Sequence, residues 1–217
     1  MLDLYGYTYS VYAWIARLVL HEKGVGYRWV EVNPFADDMD PDYLATHPFR
    51  RVPALADGDF VLYETGAITR YIDEKFPGPR LQPAAPCARA RLNQILSVID
   101  GYAYRPLVRQ VFSHGVMRPR FAWPADPDQV ARGLAASKRV LDALDRLADG
   151  GEFLVGPDLS LADLHLAPML SYFCEAEAGR RALDAHAALR RWFESVIQRP
   201  AFRDTRPALP AATAARV

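Results

Sequence analysis

The sequence lacks most of the features that would tie it to a special environment or chemistry. Its formal net charge is zero, from 26 basic and 26 acidic side chains, so no global field draws it to nucleic acid or to an anionic membrane. Only two cysteines, Cys87 and Cys174, occur in 217 residues. They form no Cys-x-x-Cys pair, which excludes a redox motif and a zinc knuckle built from them; both are expected to be buried, reduced thiols packed as small hydrophobes. The five histidines, His21, His47, His114, His165 and His186, show no metal-ligand spacing. No metal is expected, and each histidine reads as a surface or capping group. Long apolar runs are also missing: the longest stretch without a charge, Leu4 to Ala16, is too short to span a bilayer and contains Gly, Thr and Ser. Asp3 breaks the pattern of a signal peptide, so a cytoplasmic protein with no membrane partner is expected.

What remains is an ordinary globular composition, 51% hydrophobic and 24% charged. Proline divides it: Pro77, Pro79, Pro83 and Pro86 fall close together, where neither a helix nor a central strand continues. Residues 1–77 therefore form one expected domain, 78–86 a linker and 87–217 a second domain. In the first, Leu2 to Tyr5 alternates as a strand, Val11 to Gly24 has helical spacing closed by a glycine, and Tyr27 to Val32 alternates as a second strand. An irregular acidic stretch follows. Ala54 to Ala56 and Phe60 to Leu62 flank Asp57-Gly58-Asp59 as a hairpin, and Glu64 to Phe76 reads as a helix. The first two strands, joined through a helix, are expected to pair in parallel.

After the linker only helical stripes are found. Leu92, Ile95, Leu96 and Ile99 make one, interrupted at Pro106; Val130, Leu134, Leu141 and Leu144 make another; Leu189, Trp192, Phe193, Val196 and Ile197 make the last. Ser160-Leu161-Ala162-Asp163 opens a further helix as a capping box, a structural role for Asp163. The Ala/Pro-rich run from Thr205 reads as a poorly packed tail.

Three segments of the first domain carry candidate chemistry. The turn Tyr5-Gly6-Tyr7-Thr8-Tyr9-Ser10 lies at the carboxyl end of strand one, where open α/β sheets bind ligands. Ser10 reads as the N-cap of the next helix, a place compatible with donating a hydrogen bond to an anion. Arg51-Val52-Pro53-Ala54 precedes the hairpin. Pro53 is either trans at the start of an edge strand, which the local sequence favours, or cis, leaving Val52 able to bind an extended peptide. Tyr63-Glu64-Thr65-Gly66 joins a strand to a helix, with Thr65 as expected N-cap. Its neighbouring N–H groups suit a carboxylate and Glu64 suits an ammonium, the two halves of an amino-acid head group.

Taken together, Tyr5-Gly6-x3-Ser10, Leu20-His21-Glu22-Lys23-Gly24, His47 to Leu55, Asp57-Gly58-Asp59 and Leu62 to Ile68 resemble the glutathione transferase superfamily, nearest its serine-type phi class. The Ser160-x-x-Asp163 box, preceded by Gly156-Pro157, extends the resemblance to the second half. It implies an α/β thioredoxin-like domain followed by an all-helical domain, in a cytoplasmic homodimer. The implied function is detoxification by conjugating glutathione, the co-substrate, to a small hydrophobic electrophile. Carried over, Ser10 is the implied thiol-activating hydroxyl, with Tyr5 and Tyr7 as rivals in the same turn. Val52 before a cis-like Pro53 is implied to bind the cysteinyl backbone of glutathione by strand addition, Glu64 and Thr65 its γ-glutamyl end, and Arg51 lies near the tripeptide. The electrophile pocket is expected from Tyr7 and Tyr12 and, in the helical domain, Tyr102 and Phe112, with Tyr104, Phe121 and Trp123 as further aromatics. A glutathione-dependent peroxidase or dehalogenase using the same thiolate, and a non-catalytic binding protein on the same fold, stand as alternatives. Departures from the serine-type pattern are Tyr12, Ala13 and Trp14 after the serine. The acidic Asp37 to Asp42 also stands where relatives often offer a cation.

Overall fold

The computed structural model describes residues 1–148 and 151–211, and the chain divides into two compact units. Met1–Gln82 with Pro200–Pro207 make the first; Pro83–Arg199 with the residues from Ala208 to Ala211 make the second, as far as described. The division falls inside the proline cluster.

The first unit is built on four strands, β1 (Leu2–Gly6), β2 (Arg28–Glu31), β3 (Ala54–Asp57) and β4 (Phe60–Tyr63), in the order β2-β1-β3-β4. As expected, β1 pairs with β2 in parallel; β3 pairs antiparallel with both β1 and β4. The hairpin closes through Gly58-Asp59, with Gly58 at φ 61 as the first position of a tight two-residue turn. Helices α1 (Val11–Glu22) and α3 (Thr65–Lys75) pack against each other, and Ala13, Trp14, Ile15, Leu18, Ile68 and Ile72 are fully buried with Leu4 and Leu55 of the sheet. The acidic stretch is not wholly irregular. Asp40 caps a short helix, α2 (Pro41–Thr46), by accepting from the Asp42 N–H at 2.9 Å, a turn signal supplied by an aspartate before a proline at the first helical position.

Lys23 follows α1 and is buried with Asp73 of α3. Its Nζ donates to Asp73 Oδ1 at 3.1 Å and to the Pro79 carbonyl at 3.0 Å, while Asp73 also accepts from the Leu81 N–H at 2.9 Å. The ion pair thus holds residues 79–81 against the first unit with its donors and acceptors matched, the condition under which burying charge is tolerated.

In the second unit, α4 (Pro86–Val98) runs through wide π-helical turns, Ile99–Ala103 and Arg105–Met117, into α5 (Arg118–Arg120). Pro106 therefore does not interrupt the helix. Its missing N–H costs one bond, and the wider turn relieves the clash of its ring with the preceding carbonyl. Then come α6 (Pro127–Ala148), α7 (Leu161–Phe173), α8 (Glu177–Asp184) and α9 (Ala187–Val196), after which α10 (Pro200–Thr205) belongs to the first unit. Every residue of α7 is buried, as befits a helix that is apolar around its circumference. No described helix is long and apolar enough to cross a membrane.

Two expectations about buried groups fail. Cys87 is exposed at the start of α4; Cys174 is half-buried, and its burial pushes the thiol up to about 12. His47 and His186 are buried but stand at cap positions, the C-cap of α2 and the N-cap of α9, whereas His165 is buried inside α7 and is neither a surface nor a capping group. The run from Thr205 also begins differently from a loose tail. Phe202 and Thr205 of α10 are buried in the first unit, where Thr205 Oγ1 accepts from Trp14 Nε1 at 3.0 Å and Phe202 packs on the Trp14 ring at 5.0 Å. A tryptophan N–H inside a core requires an acceptor, and α10 brings it. Residues 212–217 of that run lie outside the described residues.

Asp163 does the structural work expected of it, and more. Its Oδ2 accepts from the Ser160 N–H and hydroxyl at 2.8 and 2.7 Å; its Oδ1 accepts from the Leu154 N–H at 2.8 Å and Trp192 Nε1 at 2.7 Å. The carboxylate is fully buried, so truncation strands four donors away from water. Asp163→Ala should lower the unfolding free energy by about 3 kcal/mol or more, measured in urea. A loss under about 1 kcal/mol, the worth of a lone cap, would refute this account.

Candidate functional site

The strand register gathers the candidate residues of the first unit. Tyr5 of β1 pairs with Ala54 of β3, Ala54 pairs with Tyr63 of β4, and Gly6 pairs with Glu31 of β2. The carboxyl ends of β1, β2 and β4 and the amino end of β3 therefore meet at one end of the sheet. From that end emerge the turn leading to Ser10, the segment Arg51-Val52-Pro53 and the junction Glu64-Thr65.

Glu31 organises the first of these. Its Oε1 accepts from the Thr8 N–H at 2.9 Å, and its Oε2 from the Thr8 hydroxyl and Trp29 Nε1, both at 2.8 Å. The Trp29 ring lies across Gly6, where a Cβ would approach it to 2.3 Å, so only glycine fits at the exit of β1. The Ser10 N–H donates to the Tyr7 carbonyl at 2.8 Å and closes the turn. Ser10 is the N-cap of α1, its Oγ accepting from the Ala13 N–H at 3.3 Å. Accepting uses a lone pair and leaves the hydroxyl hydrogen to donate elsewhere.

The neighbouring tyrosines divide. Tyr5 turns its ring onto Tyr43, 5.7 Å away, and is half-buried. Tyr7 is half-buried between Tyr9 and Phe35, ring centroids 5.6 and 5.9 Å off; burial, then Tyr9 and Glu31, hold its phenol above the ordinary value. Phe35 is 63% exposed, an isolated aromatic in a loop that carries no periodic signal in the sequence. Tyr12 is half-buried on the first turn of α1.

The Val52–Pro53 peptide is cis, against the trans form favoured by local sequence. The ladder begins at Ala54, so the N–H and C=O of Val52 lie beyond the paired part of β3. Pro53 is buried and Arg51 exposed. Arg50 reaches from this segment to the Ala36 carbonyl at 2.9 Å, a cation beside the acidic stretch.

At the third segment the expected cap is displaced by one residue. Glu64, exposed and at φ 71, holds the N-cap position, and Thr65 is the buried first residue of α3. A positive φ on a side-chain-bearing residue is the kind of strain that collects at ligand sites. The Glu64 side chain makes no cap hydrogen bond to this helix, whose N-terminal dipole favours an anion. Tyr102 and Phe112 belong to the second unit. Tyr102 is exposed, whereas Phe112 is buried with its ring stacked on Tyr172 at 4.1 Å, which commits it to the packing of that unit.

Among the described residues no cluster of His, Cys, Asp and Glu has the makings of a metal site. His47 is buried against Tyr63 at 4.9 Å, and its Nδ1 has no partner among the described residues. Burial lowers its pKa; Glu64 opposes this and Arg51 assists it.

Sequence and structure comparisons agree on the relatives of this chain. Residues 4–80 match the glutathione S-transferase N-terminal domain and residues 127–195 the C-terminal domain. Glutathione S-transferase 3 of Zea mays is 33% identical over 96% of this chain and 95% of its own length. Arabidopsis thaliana relatives are of the phi and zeta classes. The solved apo structure of glutathione S-transferase III superposes with a TM-score of 0.86 at 32% identity, covering 98% of this chain and 99% of that one. Glutathione S-transferase-I bound with lactoylglutathione gives 0.84 at 26%, covering 94% and 97%.

The lowered pKa of His47 has a consequence for stability. A histidine whose folded pKa lies below its unfolded value of about 6.5 contributes stability that is present above that value and lost as pH falls through the folded one. His47→Phe should flatten the acid limb of the stability curve below pH about 6.5 by at most about 1.4 kcal/mol per pH unit. Parallel limbs for both proteins in urea titrations would show that His47 titrates alike in both states.

Proposed function

Because the chain belongs to the glutathione S-transferase family, we propose that the end of the sheet bearing Ser10, Val52 and Glu64 binds glutathione and activates its thiol for attack on a hydrophobic electrophile. The single observation that carries this reading is the register, which delivers three kinds of group to one place: a hydroxyl at a helix N-terminus, an extended backbone unit outside the ladder, and a second helix N-terminus behind a carboxylate.

Each group answers a part of the tripeptide. Val52 offers N–H and C=O to the cysteinyl backbone as an added strand would receive them. The N–H groups at Thr65 and Gly66 suit the γ-glutamyl carboxylate, and the Glu64 carboxylate suits its ammonium. Arg51 adds positive charge beside the ligand. A free thiol of pKa about 8.5 is mostly protonated at neutral pH, and lowering it by about two units takes about 2.7 kcal/mol of preferential stabilisation of the thiolate. A hydrogen bond from Ser10 to the charged sulfur, about 1.5–3 kcal/mol, together with the α1 dipole supplies that much. The thiolate then displaces a leaving group from, or adds to, the electrophile. Tyr7 is the weaker rival for activation, since a phenol with a raised pKa is a poorer donor to sulfur. Tyr7, Tyr12 and Phe35 offer the electrophile an apolar, aromatic surface within the first unit. Reduced glutathione abounds in the cytosol, and we assign the protein there.

Ser10→Ala separates the cap from the thiolate donor. The variant should lose about 1 kcal/mol of stability, and its conjugation of a chloroaromatic at neutral pH should fall tenfold to a hundredfold, the loss shrinking as pH rises above the free thiol's pKa. Unchanged turnover, with the full loss in Tyr7→Phe, would move activation to the tyrosine.

A homodimer is part of the same proposal. Phe49 and Phe60, 63% and 49% exposed, and the neighbouring Val61 are apolar surface that association would cover. Light scattering at micromolar concentration should give twice the chain mass of 24.3 kDa; a monomer there would exclude a stable dimer.

A further inference from the structure

Tyr43 lies on α2, in the stretch that the sequence offered only as acidic and irregular. It is buried, its ring against Tyr5, within a small apolar cluster of Met39, Tyr43 and Ala54 onto which Val52 packs. Its hydroxyl donates to the Arg51 carbonyl at 2.6 Å. That carbonyl and the N–H of Val52 belong to one planar peptide unit. The unit is trans, the cis bond of this segment being the next one along. In a trans peptide the C=O and N–H point in opposite directions, so anchoring the oxygen toward α2 aims the N–H away from it. A carbonyl that accepts a short hydrogen bond also polarises its own amide and strengthens the N–H as a donor.

We propose that Tyr43 is a positioning residue for glutathione, fixing through the Arg51 carbonyl the direction and donor strength of the Val52 N–H that meets the cysteinyl carbonyl of the tripeptide. The inference rests on the glutathione-binding reading of Val52 given above. Tyr43 does not itself touch the ligand. Burial, with Tyr5 beside it, pushes its phenol above the ordinary value, and the hydroxyl keeps its proton throughout the working range.

Tyr43→Phe keeps the ring and its apolar contacts and deletes only the donor. Calorimetric titration with glutathione should show affinity weakened about three- to tenfold, the range for losing one neutral hydrogen bond, with KM raised alike. The kcat at saturating glutathione and the pH profile of thiolate formation should stay within about twofold of wild type, and thermal unfolding should show a folded protein. Titration with the thioamide analogue of glutathione, in which sulfur replaces the cysteinyl carbonyl oxygen and accepts poorly, tests the route. There the difference between wild type and Y43F should shrink toward none. Equal glutathione affinity in the two proteins, or an undiminished difference with the thioamide, overturns the role of Tyr43 while leaving the functional reading in place. Failure of the wild type to bind glutathione overturns that reading, and this inference with it.

Discussion

The pairing of β1 with β3 is the constraint on which the candidate site depends. Tyr5 opposite Ala54 is a single register step, yet it decides that the turn after Gly6 emerges beside the peptide bond before Ala54 and not one residue away. In a strand a slip of one residue turns every side chain to the other face. Here the slip is resisted because Leu2 and Leu4 of β1 and Leu55 of β3 are buried, with α3 packed against β3. Moving any of them outward would expose a leucine to water, at roughly 1.5–3 kcal/mol each. The core thereby sets the site's geometry to within the spacing of one residue.

Around that frame, the site is held by polar contacts that have few substitutes. Glu31 takes three donors and ties the Ser10 turn to β2; Tyr43 takes hold of the peptide before Val52; the cap at Ser10 leaves its hydrogen to donate. A common logic runs through them. Each fixes a backbone unit or a short side chain, so the groups offered to a ligand are pre-oriented and little ordering remains to be done on binding. Glu64 is the exception, held at positive φ with its carboxylate exposed to solvent.

The second unit solves a different problem. Its central helix α7 is buried on all sides, so its start has no water to satisfy its polar groups, and Asp163 gathers donors from its own cap, from Leu154 and from Trp192 of α9. One carboxylate thus orients three segments. The two units share a device: a buried polar group with partners supplied from distant parts of the chain, as Trp14 is by Thr205 and Lys23 by Asp73 and Pro79.

The sequence by itself determined the elements whose cause is local. Alternation set β1 and β2, Asp-Gly set the hairpin, the Ser160-x-x-Asp163 spacing set the start of α7, and a serine before an apolar helical run set the cap of α1. It also offered Ser10 and Glu64 as candidates from their strand-to-helix junctions, and Val52 from the proline that follows it. Tertiary structure decided the rest. The helix through Pro106, the cis bond at Pro53, the displacement of the cap from Thr65 to Glu64 and the return of α10 to Trp14 all depend on neighbours remote in the chain. So do the burial of His47 and the bond from Tyr43 to Arg51. Spacing reports only what a residue and its near neighbours prefer. Which donor finds which acceptor, and which side chain loses its water, is settled when the strands take their register and the core closes over them.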